Sequence, residues 1–319
     1  MLLIRSAVTE LQYKGSRMSK DAFHGIVTPI LTPYNNDQSI ARDLYLAHAT
    51  WQLEHGADYI SPFGTTGEAV SNGMQERMSV LEDLVAKGHL SPSRMMPGTG
   101  AGALPDTITL TRHAVDLGCA AAMVLPPYYY SGATTDDGLY RYFSDLIEGV
   151  GSDALRICLY HIPQMTGVAM TPALSARLNT AFPDIVTAYK DSSGNWENTL
   201  DILAAAPGLA VFPASETRLA EGSTVGIAGC ISATCNTNIK QIRQYQNYIL
   251  AGDMAAAAKL TPAIDAHRMA VQSAGLIPAL KSMMAATTGE PRWLNLRAPM
   301  DRADPSIGQD INKRLNWSL

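Results

Sequence analysis

Short runs rich in apolar and β-branched residues recur along the chain at 25–34, 57–64, 94–101, 120–128, 156–163, 186–193, 209–215 and 225–234. Many are apolar on consecutive rather than alternate positions, as in strands buried on both faces of a parallel sheet. Between most of them lie helix-like stretches, at 42–55, 68–87, 107–117, 138–149 and 171–181. Eight such alternations predict an α/β fold, a (β/α)8 barrel of about 250 residues. A doubly wound open sheet is the rival. It would carry a glycine-rich dinucleotide fingerprint after the first strand, and none follows the run at 25–34.

After Asn236 the pattern turns to helix only, at 239–250, 254–272, 276–286 and 307–315. These read as the eighth barrel helix followed by a C-terminal helical extension. The expected division is an N-terminal extension over 1–20, a barrel catalytic domain over 21–252 and a helical region over 253–319. A second methionine, Met18, stands just before the first strand-like run, so residues 1–17 read as an upstream arm.

The 319 residues carry a net charge of −5 with a 46% hydrophobic fraction, a composition that fills one large core. An acidic balance argues against nucleic acid or an anionic membrane as partner, since both need a basic face. No apolar run reaches the roughly 18 residues that span a bilayer, and the start lacks a signal-peptide core. Cys119, Cys158, Cys230 and Cys235 form no C-x-x-C pair and no zinc-like spacing with the histidines. They read as buried small hydrophobes of a cytoplasmic protein.

Barrel enzymes work at the C-terminal ends of their strands. The second strand delivers Gly64-Thr65-Thr66-Gly67-Glu68, the third Gly98-Thr99-Gly100 and the fourth Tyr128-Tyr129-Tyr130. The fifth ends in Tyr160-His161, the sixth in Lys190-Asp191-Ser192, the seventh in Ser215-Glu216 and the eighth in Ile231-Ser232. The set is rich in hydroxyls and phenols, has one lysine and contains no metal cluster.

Lys190 closes the apolar stretch Ile185-Val186-Thr187-Ala188-Tyr189. Desolvation there favours a neutral amine able to attack a ketone. The alternative is a lysine neutralised by Asp191. The segment at 64–68 reads as the opening of a helix whose threonines and free N–H groups take a carboxylate or phosphate, or as an ordinary N-cap with Glu68 on the dipole. Tyr160 lies one strand from Lys190, roughly 5 Å away, where a phenol can pass protons. A core tyrosine with a satisfied hydroxyl is the plainer reading.

In joint order these motifs, with Pro127-Tyr128-Tyr129, Tyr160-His161-Ile162-Pro163, Tyr189-Lys190-Asp191-Ser192 and the run at 226–232, resemble the dihydrodipicolinate synthase/N-acetylneuraminate lyase family. The resemblance spans about 25–299, including the run at 277–281 and Arg297-Ala298-Pro299. It implies that Lys190 is the Schiff-base lysine and Tyr160 the central acid/base. Thr65 and Thr66 would hold the pyruvate carboxylate, with Thr65 sharing the proton relay. Tyr129 would be a relay tyrosine reaching a neighbouring subunit's site, in a homotetramer, and Ile231 would line the site through its carbonyl. The implied substrates are pyruvate or another 2-oxo acid and an aldehyde or sugar acid. No metal or organic cofactor is implied, because the lysine imine is the electron sink.

Three positions depart from the synthase pattern. Met165 stands where that branch places an arginine for the carboxylate of aspartate semialdehyde, and a thioether cannot replace a charge-assisted hydrogen bond. His161 stands where asparagine is usual, and so does Gly102. An apolar residue at 165 is more like neuraminate lyase or the 2-keto-3-deoxy sugar-acid aldolases and dehydratases. Ser215 and Glu216 are then placed to accept sugar hydroxyls, with Ser192 beside them, unless Glu216 pairs with Arg218 or caps a helix. The expected activity is a pyruvate-dependent class I aldolase or lyase acting on a 2-keto-3-deoxy sugar acid or related hydroxy-2-oxo acid. Dihydrodipicolinate synthesis and N-acetylneuraminate cleavage are the alternatives. A non-catalytic 2-oxo-acid-binding barrel and a phosphate-binding barrel are rivals of other kinds.

Overall fold

A computed structural model describes residues 23–318, so the extension expected over 1–20 lies outside the described residues. Parallel strands and helices alternate through the first three quarters of the chain. The strands are β1 (Gly25–Thr28), β2 (Tyr59–Ile60), β3 (Ala122–Val124), β4 (Ile157–His161), β5 (Val186–Asp191), β6 (Ala210–Pro213) and β7 (Gly229–Ile231). Helices α1 (Arg42–His55), α2 (Met74–Ala86), α3 (Leu104–Asp116), α4 (Asp136–Val150), α5 (Pro163–Thr166), α6 (Pro172–Ala181), α7 (Trp196–Ala205) and α8 (Leu219–Val225) lie between them. Then come α9 (Cys235–Leu250), α10 (Met254–Ser273), α11 (Leu276–Thr288) and α12 (Pro305–Leu315), the helical tail that the pattern predicted.

The strands fall into two parallel ladders, β2-β1-β7 and β3-β4-β5-β6. Backbone hydrogen bonds join these into a ring. On one side Ala228 N donates to Val211 O at 2.8 Å and Gly25 N to Ala228 O at 2.8 Å. On the other, Met96 N donates to Ile60 O and Met123 N to Pro97 O, both at 2.8 Å. The third predicted strand, 94–101, is the stave that fills this second gap. It survives only as parallel bridges, Ile60 with Met95 and Gly98 with Met123. Pro97 has no N–H to give a ladder, and the glycines at 98 and 100 offer no side chain to pack. Gly98 is required there, since a Cβ would meet Phe63 O at 2.2 Å.

The pleat sorts side chains between two cores. Val27, Met96, Cys158, Tyr160, Ala188, Phe212 and Ile231 fill the barrel interior. Leu159, Val186, Tyr189 and Val211 face out to the helices with Phe143, Leu174 and Ile202. On β5 this puts Ala188 and Lys190 inward and Tyr189 and Asp191 outward. All four cysteines are free thiols, three of them buried, and burial alone pushes Cys158 up to about 12. No helix among the described residues is long and apolar enough to cross a membrane.

Candidate active site

Strand register brings the two central groups together: Tyr160 on β4 pairs directly with Lys190 on β5. Lys190 is 3% exposed, and its Nζ lies 4.1 Å from the centroid of the Tyr160 ring. The Tyr160 hydroxyl shares a hydrogen bond of 3.0 Å with Thr65 Oγ1. An amine, a phenol and a threonine hydroxyl thus form a continuous row across three staves of the barrel. A ring face stabilises the ammonium only weakly. No carboxylate among the described residues is ion-paired with Lys190. Asp191 is not its partner, because the pleat turns it to the opposite face. There it accepts from Ser193 N and Oγ, Asn198 Nδ2 and Thr199 Oγ1.

The segment at 64–68 is not the start of a helix. It forms successive turns, with Gly67 N and Ala69 N donating to Gly64 O and Glu68 N to Thr65 O. The helix begins at Met74, where Glu76 accepts from Gly73 N at 3.0 Å. Glu68, in the left-handed region at φ 55°, precedes a short 3-10 turn at Ala69–Ser71. Its carboxylate is ion-paired with the fully buried Lys281 of α11. The threonines keep their role as a candidate anion cradle for a different reason. The N–H groups of Thr65 and Thr66 donate to no acceptor among the described residues, and such free donors in a turn suit an anion.

Above Thr65 and Tyr160 opens a cleft of about 390 Å³, walled by Val70, Leu125, Tyr128, Met165, Ile277 and Met300 among others. Lys190 is not part of this wall; Tyr160, whose ring it rests on, is. Met165 on α5 reaches the cleft and is 66% exposed. Ile231 is buried in the barrel interior beside Tyr160, and Thr66 is buried beneath the turn.

One expectation fails here. Glu216 is 0% exposed and offers nothing to a substrate: Ser232 Oγ and Thr234 Oγ1 donate to its two oxygens, and Arg268 of α10 pairs with it at 3.0 Å. Its partner is Arg268, while Arg218 pairs with Glu221. Ser215 closes a turn, accepting from Thr217 N, and lines a separate polar depression with Ser192, Gln164 and Arg268. Tyr129 is 84% exposed, stacks edge-on with Tyr130 at 5.3 Å and does not reach the Thr65–Tyr160 pair within its own chain, so any part it plays would be at a neighbouring copy. Tyr128 is the tyrosine of that run on the cleft wall. His161 also points away: its Nδ1 accepts from Met170 N at 3.0 Å in the outer layer.

The sequence reading missed Ile277 and Met300 as cleft walls and Lys281 as the anchor of the 64–68 turn. Lys281 did carry a signal, a lone lysine within the apolar run 276–284. The barrel, its strand-end site and the helical tail define an enzyme of the aldolase and lyase class. The Dihydrodipicolinate synthetase family model matches residues 22–317, so the chain belongs to that family. An uncharacterized DapA-like lyase of Chloroflexus aurantiacus is 34% identical over 86% of this chain and 90% of its own length. The crystal structure of dihydrodipicolinate synthase from Agrobacterium tumefaciens matches with a TM-score of 0.82 at 32% identity, over 92% of this chain and 98% of that one. The fold is also that of YagE from E. coli K12, solved in complex with pyruvate: TM-score 0.82, 22% identity, 92% and 99% coverage.

Proposed function

We propose that the chain is a class I aldolase or lyase in which Lys190 forms an imine with pyruvate or a longer 2-oxo acid. The observation that carries this is the row Lys190–Tyr160–Thr65: a buried lysine without a carboxylate partner, on the ring of a tyrosine whose hydroxyl is bonded to Thr65. The pyruvate complex of the structural relative YagE supports the choice of substrate. The free N–H groups of Thr65 and Thr66 receive the substrate carboxylate. The Lys190 amine attacks C2, and Tyr160 passes protons between nitrogen and the departing oxygen, with Thr65 as relay. One water leaves as the imine forms. The C4 hydroxyl of a 4-hydroxy-2-oxo acid gives up its proton as the electrons of the C3–C4 bond pass into the imine, releasing an aldehyde and an enamine. The enamine takes a proton at C3, and water hydrolyses the imine to free Lys190. In reverse, the enamine attacks an aldehyde. The lysine supplies the electron sink, so the cycle as proposed calls on no metal or organic cofactor. A homotetramer, with Tyr129 reaching into a neighbouring copy, belongs to this reading as well.

Two narrower activities draw less support from the site. Aspartate semialdehyde brings a carboxylate of its own in addition to that of pyruvate, and Met165 gives it no cation. A sugar-acid substrate would use the Ser215–Glu216 pair, and Glu216 is fully engaged. The test is borohydride reduction with pyruvate, followed by intact mass. A pyruvate adduct in the wild type that is missing from Lys190→Ala is the expected result. No adduct, or one that survives the substitution, refutes the mechanism.

A further inference from the structure

The wall of the cleft above Thr65 and Tyr160 is built almost wholly of carbon. Val70 comes from the turn after 64–68, Leu125 from the end of β3 and Met165 from α5. Ile162 follows β4, while Ile277 and Met300 arrive from the helical tail. Glu68 is the one formally charged residue along this wall among the described residues, and its carboxylate is ion-paired with Lys281. Thr166 also touches the cleft, but its hydroxyl donates to Ile162 O and Val168 O. Beyond Thr65, Tyr160, Tyr128 and Ser71, no described residue on the wall has a side-chain hydroxyl left for a ligand.

A ligand seated here meets a surface that recognises shape and apolar area. An aldehyde bearing several hydroxyls would leave water for few partners, since beyond the Thr65–Tyr160 pair the described wall offers only the side-chain hydroxyls of Tyr128 and Ser71, an unfavourable exchange. One bearing a carboxylate would fare worse, because no lysine or arginine among the described residues lines the cleft. An aryl or alkyl aldehyde loses nothing by the transfer and gains from burial against methionine and isoleucine. Val70 and Met165, at 76% and 66% exposure, hold apolar surface in water at the rim, which such a body would cover.

We propose that the acceptor half of this site takes an uncharged apolar aldehyde, aromatic or alkyl, selected by Val70, Leu125, Met165, Ile277 and Met300. The proposal rests on the imine reading above. In the condensing direction the enamine C3 forms a bond to the aldehyde carbon, and the aldehyde oxygen takes up a proton. Water then hydrolyses the imine, leaving a 4-hydroxy-2-oxo acid with an apolar substituent at C4 and free Lys190.

The experiment uses the full chain with pyruvate and four aldehydes: benzaldehyde, hexanal, D-glyceraldehyde and aspartate semialdehyde. Product is measured by mass, and borohydride trapping of pyruvate runs on the same samples. The expected kcat/KM for benzaldehyde or hexanal exceeds that for either polar aldehyde by about tenfold or more, the scale on which an apolar pocket discriminates. Met165→Arg, a change at an exposed side chain, should lower that ratio severalfold by raising use of aspartate semialdehyde. A trapped adduct together with glyceraldehyde or aspartate semialdehyde used as well as the apolar pair, or a ratio unmoved by Met165→Arg, overturns the apolar assignment while the imine stands. Absence of the adduct removes the imine reading, and the acceptor assignment with it.

Discussion

Lys190 and Lys281 are both withdrawn from solvent, at 3% and 0% exposure, but they are held in opposite ways. Lys281 is ion-paired with Glu68, donates to Asn295 O at 2.8 Å and lies 4.5 Å from the Tyr34 ring centroid. Lys190 has a ring face of the same kind, that of Tyr160, and no carboxylate among the described residues. Burying an ammonium costs several kcal/mol, and an ion pair with further hydrogen bonds offsets much of that. Lys281 has such compensation and Lys190 does not. A buried lysine held by an ion pair and a hydrogen bond is a strut. One left with a phenol and an open cleft nearby is free to react.

The two are nonetheless linked by five residues. The turn at 64–68 sends Thr65 to Tyr160 at one end and Glu68 to Lys281 at the other. The ion pair thereby holds the turn whose threonine reaches the reactive row.

Substitutions separate the two lysines, the largest effect first. Lys190→Ala should abolish pyruvate trapping and turnover together while leaving a folded protein, seen as an unchanged far-UV circular dichroism spectrum. If turnover persists, the contrast between the lysines collapses. Tyr160→Phe keeps the ring against Lys190 but removes the hydroxyl bonded to Thr65. Its turnover should fall by about 10²–10⁴, the range of a positioned acid/base group, with substrate binding less affected. Equal activity in this variant would reduce Tyr160 to a packing residue.

Lys281→Met should act on stability. Leaving Glu68 buried and unpaired costs about 3–5 kcal/mol in urea or thermal unfolding. Glu68→Leu combined with Lys281→Met should recover most of this, since replacing both partners by apolar groups is often neutral. A single variant as stable as the wild type would show that the pair is not the anchor. The smallest effect is on pH dependence. Burial pushes Lys281 down to about 8 from its ordinary 10.5, against the pull of Glu68. Between those values the unfolded chain holds a proton on this lysine that the native state has released. The contribution of Lys281 to stability therefore rises with pH from about 8 to 10.5. Unfolding curves across that window should show the positive slope in the wild type and lack it in Lys281→Met.

Most of the barrel was legible because strands and helices announce themselves by local spacing. Arg42–His55 was read to the residue, and the four last helices within a few residues. The stave at 94–101 was overcalled as a strand, since proline and glycine weaken a ladder that neighbouring staves still complete. Lys190 and Tyr160 were legible as strand-end residues, and parallel register did the rest.

Glu216 shows where such reading stops. Its place at a strand end suggested an acceptor for hydroxyls, but Ser232, Thr234 and Arg268 had already filled its oxygens, the last from 52 residues along the chain. The sequence by itself determined the alternation of strands and helices, the family and the inward lysine, because each depends on short-range periodicity or on residues in fixed local order. Tertiary structure decided which buried charge is satisfied, which carboxylate is sealed and which side chains wall the cleft. Those outcomes depend on groups far apart in the chain meeting within a few ångströms, and no local spacing encodes that distance.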